Sequence, residues 1–374
     1  MHRLRTVASL CVILVAASVV ATGCSPSTPE PSGESPAHHV LSGRVSTTPT
    51  GLLLDGHDWW PSGFNAYQLG TDWSVNKGCG AEVDLDDYFG ALPPHALTRI
   101  SFFSMFVVDK TTGSVDFGPL DAVLAAAERH DQLILPVLTG STGICEDDQF
   151  KDRSWYIDGW LTRKSLGGMT FADWITAAVT RWKDERAVAG WELVGEPETS
   201  VCGTSGCDWQ ARRCPDGGAA VLKSFFDDAG ERLRSIDPGR PIFAGLIGGD
   251  QCGTEGTDYA DVGSSPQIDV LDFHDYGGGP TDYGPAGSDL PTRIRQAHSL
   301  GKPIMVNEIG IKAGSCLPIA ARADRFRDKL SEQRSAGTAG GLLWAFVPDP
   351  RPDQCTYDIG PDDPVWTVVD GAVH

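Results

Sequence analysis

The sequence predicts an α/β fold, a single (β/α)8 TIM barrel with long loops on one rim, and three observations predict it. Eight short apolar runs recur along the chain. Amphipathic stretches lie between most of them, and none of the runs leads into a glycine-rich phosphate-binding turn. Apolar runs alternating with helix-like segments are what a parallel sheet covered by helices requires. Eight such units favour closure into a barrel over an open doubly wound sheet. The lack of G-x-G-x-x-G or a P-loop after any of them counts against a nucleotide-binding sheet. Such a barrel takes about 250 residues, and 374 residues accommodate one with elaborated loops.

The runs expected as strands are Gly63–Tyr67, Thr98–Val107, Leu133–Leu138, Ala189–Val194, Ile242–Leu246, Val270–His274, Ile304–Asn307 and Leu342–Phe346. Expected helices include Leu120–His130, Phe171–Trp182, Ala220–Ile236 and Ile319–Arg334. In the first of these, Leu120, Val123, Leu124 and Ala127 repeat at helical spacing, as a helix packed on a sheet needs. Thr170, with Asp173 three positions on, has the form of a helix start. The stretches Ser141–Gly168, Thr199–Asp216 and Cys252–Pro266 read as loops elaborating one rim, and the sequence shows no internal repeat and no second domain.

The first residues have a different character. Arg3 and Arg5 precede an apolar run, Val7 to Val20, and Ala21-Thr22-Gly23-Cys24 follows. The run is short for a membrane span and has the shape of a secretion signal over residues 1–23. Small residues ending in a cysteine resemble a bacterial lipobox, in which Cys24 is acylated and becomes the mature N-terminus. Residues 24–40 are rich in Pro and Ser and form a flexible tether, leaving 41–374 as the folded domain. The expected location is outside the cytoplasmic membrane, held by the lipid, or secreted if the signal is an ordinary cleaved one.

Cysteine usage agrees with export. Cys79, Cys145, Cys202, Cys207, Cys214, Cys252, Cys316 and Cys355 are an even set, which in an exported chain implies disulfides. Cys202, Cys207 and Cys214 lie close in sequence, but with no histidine among them and no paired C-x-x-C they predict loop disulfides rather than a zinc site. The net charge of −20 repels nucleic acid and anionic lipid, so neither is an expected partner. A neutral polysaccharide or oligosaccharide meets no such barrier. A monomer is expected, touching the membrane only through its N-terminal lipid.

In barrels of this kind reactive groups gather at the C-terminal ends of the strands. Reading only those ends gives Asn65 and Tyr67, Arg99, Glu196, His274 and Tyr276, Glu308, and Trp344. A single glutamate there would cap a strand or pair with a loop cation. Here apolar runs four and seven each deliver one, Pro197 and Gly310 supply the exits, and His274-x-Tyr276 lies between them in sequence. Glycosidic cleavage needs such a pair: one carboxylic acid protonates the leaving oxygen and one carboxylate attacks the anomeric carbon. The two must differ in environment so that one is protonated and the other ionised. Arg99 and Tyr276 are expected to keep Glu308 anionic, and His274 to orient Glu196 or touch substrate. This chemistry needs no cofactor and no metal. Asp349, Asp353, Asp358, Asp362 and Asp363 lack calcium-loop spacing and read as a solvated loop.

These residues resemble glycoside hydrolase family 5, the retaining β-glycosidases whose acid/base and nucleophile end strands 4 and 7. The resemblance runs from about Gly51 to Trp366, with Arg181-Trp182-Lys183-Asp184-Glu185 to Glu198 resembling the approach to the family's Asn-Glu-Pro motif. It implies Glu196 as acid/base, Glu308 as nucleophile, Arg99, His274 and Tyr276 as their partners, and Trp344 as the sugar-stacking floor of subsite −1. Two departures stand out. Gly195 replaces the asparagine that in the family binds the sugar 2-hydroxyl, and Leu138-Thr139-Gly140 offers no histidine after strand 3.

Trp59-Trp60-Pro61, leading into Gly63-Phe64-Asn65-Ala66-Tyr67-Gln68, resembles an actinobacterial branch, similar to mycobacterial cell-wall enzymes. The resemblance implies β-D-galactofuranosidase activity on cell-wall galactan, because a five-membered ring presents its 2-hydroxyl differently and tolerates Gly195. The alternatives are an endo-β-mannanase or β-glucanase and, in another class, a sugar-binding lipoprotein with impaired catalysis. Trp73, Trp155, Tyr156, Trp160 and Trp209 fall in expected rim loops, each open equally to sugar stacking and to loop packing, while Trp174 and Trp182 are expected in the core. Strand alternation is expected to turn Asp272 and Asp275 away from His274, and Glu192 and Glu198 crowd Glu196 as rival carboxylates.

Overall fold

Each of the eight apolar runs carries a strand. The structure, a computed structural model, describes residues 44–70, 82–109, 112–165, 167–204, 206–279 and 284–373. The strands are β1 (Ser62–Phe64), β2 (Leu97–Ser101), β3 (Leu133–Val137), β4 (Trp191–Glu192), β5 (Ile242–Phe243), β6 (Leu271–Asp275), β7 (Ile304–Gly310) and β8 (Gly341–Trp344). Parallel pairing gives two arcs, β1-β8-β7-β6 and β2-β3-β4-β5. Single parallel bridges, Asn65 to Arg99 and Phe243 to Val270, close both seams. The result is the predicted (β/α)8 barrel.

Strand β2 stops at Ser101, and Ser104–Val107 winds into a 3-10 turn rather than extending it. A continuous apolar run satisfies a buried turn as well as a buried strand, and Phe102, Phe103, Met105, Phe106 and Val107 are all buried. Strand β7 carries a bulge: Val306 faces Phe273 on β6 and Glu308 faces His274, so Asn307 is the extra residue. A bulge re-aims consecutive side chains that a regular strand would send to opposite faces. Both Asn307 and Glu308 consequently reach partners inside the barrel.

The helices are α1 (Leu85–Gly90), α2 (Gly118–Arg129), α3 (Phe171–Trp182), α4 (Gly218–Ile236), α5 (Asp258–Gly263), α6 (Leu290–Ser299), α7 (Ile319–Ala336) and α8 (Trp366–Val373). Helix α3 begins with the capping box read from Thr170 and Asp173. It buries Trp174 and Trp182 against the barrel, as expected. Helix α7 ends where Gly337 takes φ 98°, a left-handed exit open to glycine.

One element is absent from the sequence reading. A three-stranded antiparallel meander, Val45–Thr47, Leu52–Leu54 and His57–Trp59, precedes β1. Its Val45, Leu52, Leu54 and Trp59 pack with Leu97, Leu133, Ala189, Val270 and Met305 at the strands' N-terminal ends, closing that mouth. Its signal is Asp55-Gly56, both at positive φ (51° and 81°), the hairpin dipeptide that a two-residue turn demands.

The rim loops are braced. Disulfides join Cys202 to Cys207, Cys214 to Cys252 and Cys316 to Cys355, and Cys145 is also disulfide-bonded. The three clustered cysteines are thus loop disulfides rather than zinc ligands. Such bonds belong to an oxidising compartment. Cys24, Cys79 and Trp73 lie outside the described residues. Among the described residues no helix is long and apolar enough to cross a membrane.

At the end of β6, next to His274, Asp275 points outward and meets Lys329 (2.7 Å) and Gln333 (2.8 Å) of α7, all fully buried. Removing one partner strands a buried charge, at a cost of about 3–5 kcal/mol. Lys329→Ala is therefore expected to lower unfolding free energy by about 3 kcal/mol, read from denaturant midpoints at neutral pH. A change under about 0.5 kcal/mol would show that Asp275 is satisfied without it.

Candidate active site

Strands β1, β2, β4, β6, β7 and β8, or the turns that leave them, bring the eight predicted residues into or around one cleft. Arg99 reaches from β2 across the barrel mouth, and its Nη1 donates to Glu308 Oε1 (2.6 Å) and to Asn65 Oδ1 (2.9 Å). The Tyr276 hydroxyl donates to Glu308 Oε2 at 2.5 Å. His274 Nδ1 lies 2.7 Å from Glu196 Oε1 and 3.4 Å from Glu308 Oε2. Oxygens of Glu196 and Glu308, with His274 nitrogen between them, all lie within 4.8 Å of one another.

Backbone geometry puts Glu196 there. Gly195 and Glu196 leave the end of β4 in a sharp turn with Glu196 at φ 55°, a left-handed conformation that costs a non-glycine residue about 1–3 kcal/mol. The Glu196 N–H is caught by the Gly245 carbonyl at 2.9 Å, which holds the turn. Its side chain remains 32% exposed, facing the cleft, whereas that of Glu308 is buried.

The electrostatics separate the two carboxyls. Burial raises the Glu308 pKa, opposed by His274 and Arg99. Burial also acts upward on Glu196, but the hydrogen bond and charge of His274 outweigh it and lower its pKa. Burial disfavours charge on His274, yet Glu308 and Glu196 prevail and raise its pKa. Burial likewise opposes the Arg99 cation, and Glu192 and Glu308 more than restore it. For Tyr276, burial and then Glu308 keep the phenol protonated, hence a donor. The opposite directions at Glu196 and His274 both favour an imidazolium beside a carboxylate. His274 Nε2 is buried with no partner among the described residues, so Nδ1 is the nitrogen that works.

The cleft is a cavity of about 420 Å³ whose walls include Tyr67, Trp344, Gly195 and Ile144. The rings of Tyr67 and Trp344 stack at 5.7 Å and 16°, which fixes the orientation of the indole in the cleft wall. The Trp344-Ala345 peptide is cis. Glu196, His274 and Glu308 also have metal-ligand spacing. Their facing atoms are already paired among themselves and with Arg99 and Tyr276, so the cluster is an ion-pair network.

Several expectations are corrected. Trp155, Tyr156 and Trp160 are not sugar platforms: all three are buried and pack on Phe225, under a loop with helical turns of its own. Trp209 stays 74% exposed. Glu198 is occupied by Arg212 at 2.9 Å. Asp275 turns outward as expected, but Asp272 does not. It stands two residues from His274, which on a period of two is the same face, and it accepts from the Gly245 N–H inside the barrel at 2.6 Å. The stretch Cys252–Pro266 holds helix α5 rather than loop alone. Glu192, read from the sequence as a rival carboxylate, and Asp272, read as turned away, form with the unpredicted Asn307 a layer beneath the cleft. Its signal is a strand that places a carboxylate or amide where an apolar residue belongs.

No family model matches the chain. It is 25% identical over 340 residues to a probable mannan endo-1,4-β-mannosidase F of Aspergillus flavus, covering 78% of this chain. The chain spans 64% of that relative's length. Among solved structures, an endo-1,4-β-mannanase from Rhizomucor miehei superposes with a TM-score of 0.63 at 16% identity, over 88% of this chain and 97% of that one. A glycoside hydrolase family 5 mannosidase from Rhizomucor miehei gives 0.58 at 14% identity, over 89% and 97%. This chain thus has the (β/α)8 fold of the family 5 mannosidases.

Proposed function

We propose that the protein is a retaining β-glycoside hydrolase in which Glu308 is the nucleophile and Glu196 the acid/base. One observation carries this reading: Glu308 is held by two donors, Arg99 and Tyr276, with a Glu196 oxygen within 4.8 Å. Retaining enzymes keep their carboxyls about 5–5.5 Å apart, and inverting ones leave about 6.5–9.5 Å for a water. The separation here supports retention.

In the first step a Glu308 oxygen attacks the anomeric carbon as Glu196 gives its proton to the departing glycosidic oxygen. In the second, Glu196 takes a proton from water, the hydroxide oxygen bonds to the anomeric carbon, and Glu308 leaves. A sugar seated on Trp344 covers the exposed part of Glu196, and losing that water favours its neutral form. The acid is then generated on binding, with His274 at 2.7 Å as the proton source.

The substrate we infer is a β-mannan, supported by what the relatives of similar sequence are named for. The second reading is a β-D-galactofuranan of the cell wall, supported by Gly195, which carries no side-chain amide where family 5 has asparagine. The N-terminal reading continues with it: signal 1–23, Cys24 acylated and tether 24–40 hold the domain outside the cell. Products released by the domain from β-mannan, galactofuranan and mixed-linkage glucan test the reading, with Glu308→Gln as blank. Manno-oligosaccharides from wild type alone are expected. Galactose from galactofuranan alone would favour the second reading, and no release from any polymer would overturn the glycosidase.

A further inference from the structure

Beneath the cleft, Glu192 is fully buried at 0% exposure. It accepts Arg99 Nε at 2.7 Å and Nη2 at 2.6 Å, a bidentate pair, and Asn307 Nδ2 at 3.3 Å. The opposite edge of the same guanidinium holds Glu308 and Asn65. Arg99 is therefore clamped from below while it holds the nucleophile above. Two glycines line the clamp, Gly195 beside Arg99 and Gly245 beside Glu192, and Gly245 sits at φ 66°, a conformation open to glycine. A Cβ on Gly195 would lie 3.2 Å from Arg99 Nη2, and one on Gly245 would lie 2.6 Å from Glu192 Oε1.

We propose that Glu192 is a positioning residue of the reaction, which sets through Arg99 both the place and the ionisation of Glu308. The inference rests on Glu308 as nucleophile. The charged and titratable groups around Glu308 are Arg99 from β2, Glu192 and Glu196 from β4, and Asp272, His274 and Tyr276 from β6. Among them Glu192 is the group that neutralises Arg99 without touching Glu308.

Glu192→Gln tests this in the whole domain. Losing the charge leaves the Arg99 cation undivided for Glu308, which then ionises at lower pH. The acid limb of kcat/KM is expected to move down by about one pH unit. Loosening the guanidinium is expected to lower kcat about 10–100-fold, with KM within about threefold. Glu192→Asp keeps the charge and loses the reach, so kcat falls and the limb stays. A folded Glu192→Gln with wild-type kcat, or a slow one whose acid limb is unmoved, overturns the proposal. Should that variant not fold, Gly195→Ala presses on the same nitrogen: a lowered kcat supports the clamp and a wild-type kcat overturns it. Wild type inactive on every polymer means that the glycosidase reading has failed. Active wild type, dead Glu308→Gln and unimpaired Glu192→Gln mean that only this inference has.

Discussion

Glu308→Gln is expected to lower kcat on polymer by on the order of 10⁴-fold or more, the scale at which loss of a nucleophile registers. The substitution keeps shape and keeps an acceptor for the Tyr276 hydroxyl, so the loss is one of chemistry rather than of folding. Glu308 is a buried carboxylate whose desolvation raises its pKa, and its charge is maintained against that cost for function. Glutamine removes the cost and leaves Arg99 paired with Glu192. Thermal stability is thus expected to hold or to rise by about 1 kcal/mol. Steady-state kinetics beside a melting curve check both halves. A folded variant retaining more than a hundredth of wild-type kcat would remove Glu308 from the nucleophile's role.

Glu196→Gln is expected to separate the two steps. On polymer, whose leaving alcohol needs a proton, kcat falls about 10²–10⁴-fold. On an aryl glycoside with a good leaving group, the first step needs little help and the second still lacks its base. Glycosyl-Glu308 then accumulates, visible as a burst of phenol and as added sugar mass on the protein. The pH profile gives an independent sign. With Glu308 and Glu196 raising His274 above its ordinary value, the proton of the Glu196–His274 pair is lost only on the alkaline side of the usual imidazole range. Wild-type activity therefore falls on the alkaline side, and that limb vanishes in the variant. Equal losses on polymer and aryl glycoside, with no trapped intermediate, would refute the assignment.

The eight-stranded plan, α3 with its cap, and the residues of the cleft were legible in the sequence because each depends on local chemistry. Period-two and period-3.6 patterns mark which faces are buried, and Thr170 with Asp173 marks a helix start wherever it occurs. The exits at Gly195-Glu196-Pro197 and Glu308-Ile309-Gly310 mark strand ends, and strand ends are where a barrel gathers its reactive groups. Only the tertiary structure decided what depends on pairing across the barrel. The bulge at Asn307 is a register event between β6 and β7, and no period in β7 alone announces that two consecutive side chains turn inward. Trp155, Tyr156 and Trp160 read as rim aromatics because their burial comes from Phe225 of α4, about seventy residues on. Glu192 reads as a rival acid until Arg99, 93 positions away, is seen to claim both its oxygens. A sequence states which groups are present and how they repeat. Their charge state and direction follow from neighbours that only closure of the barrel supplies.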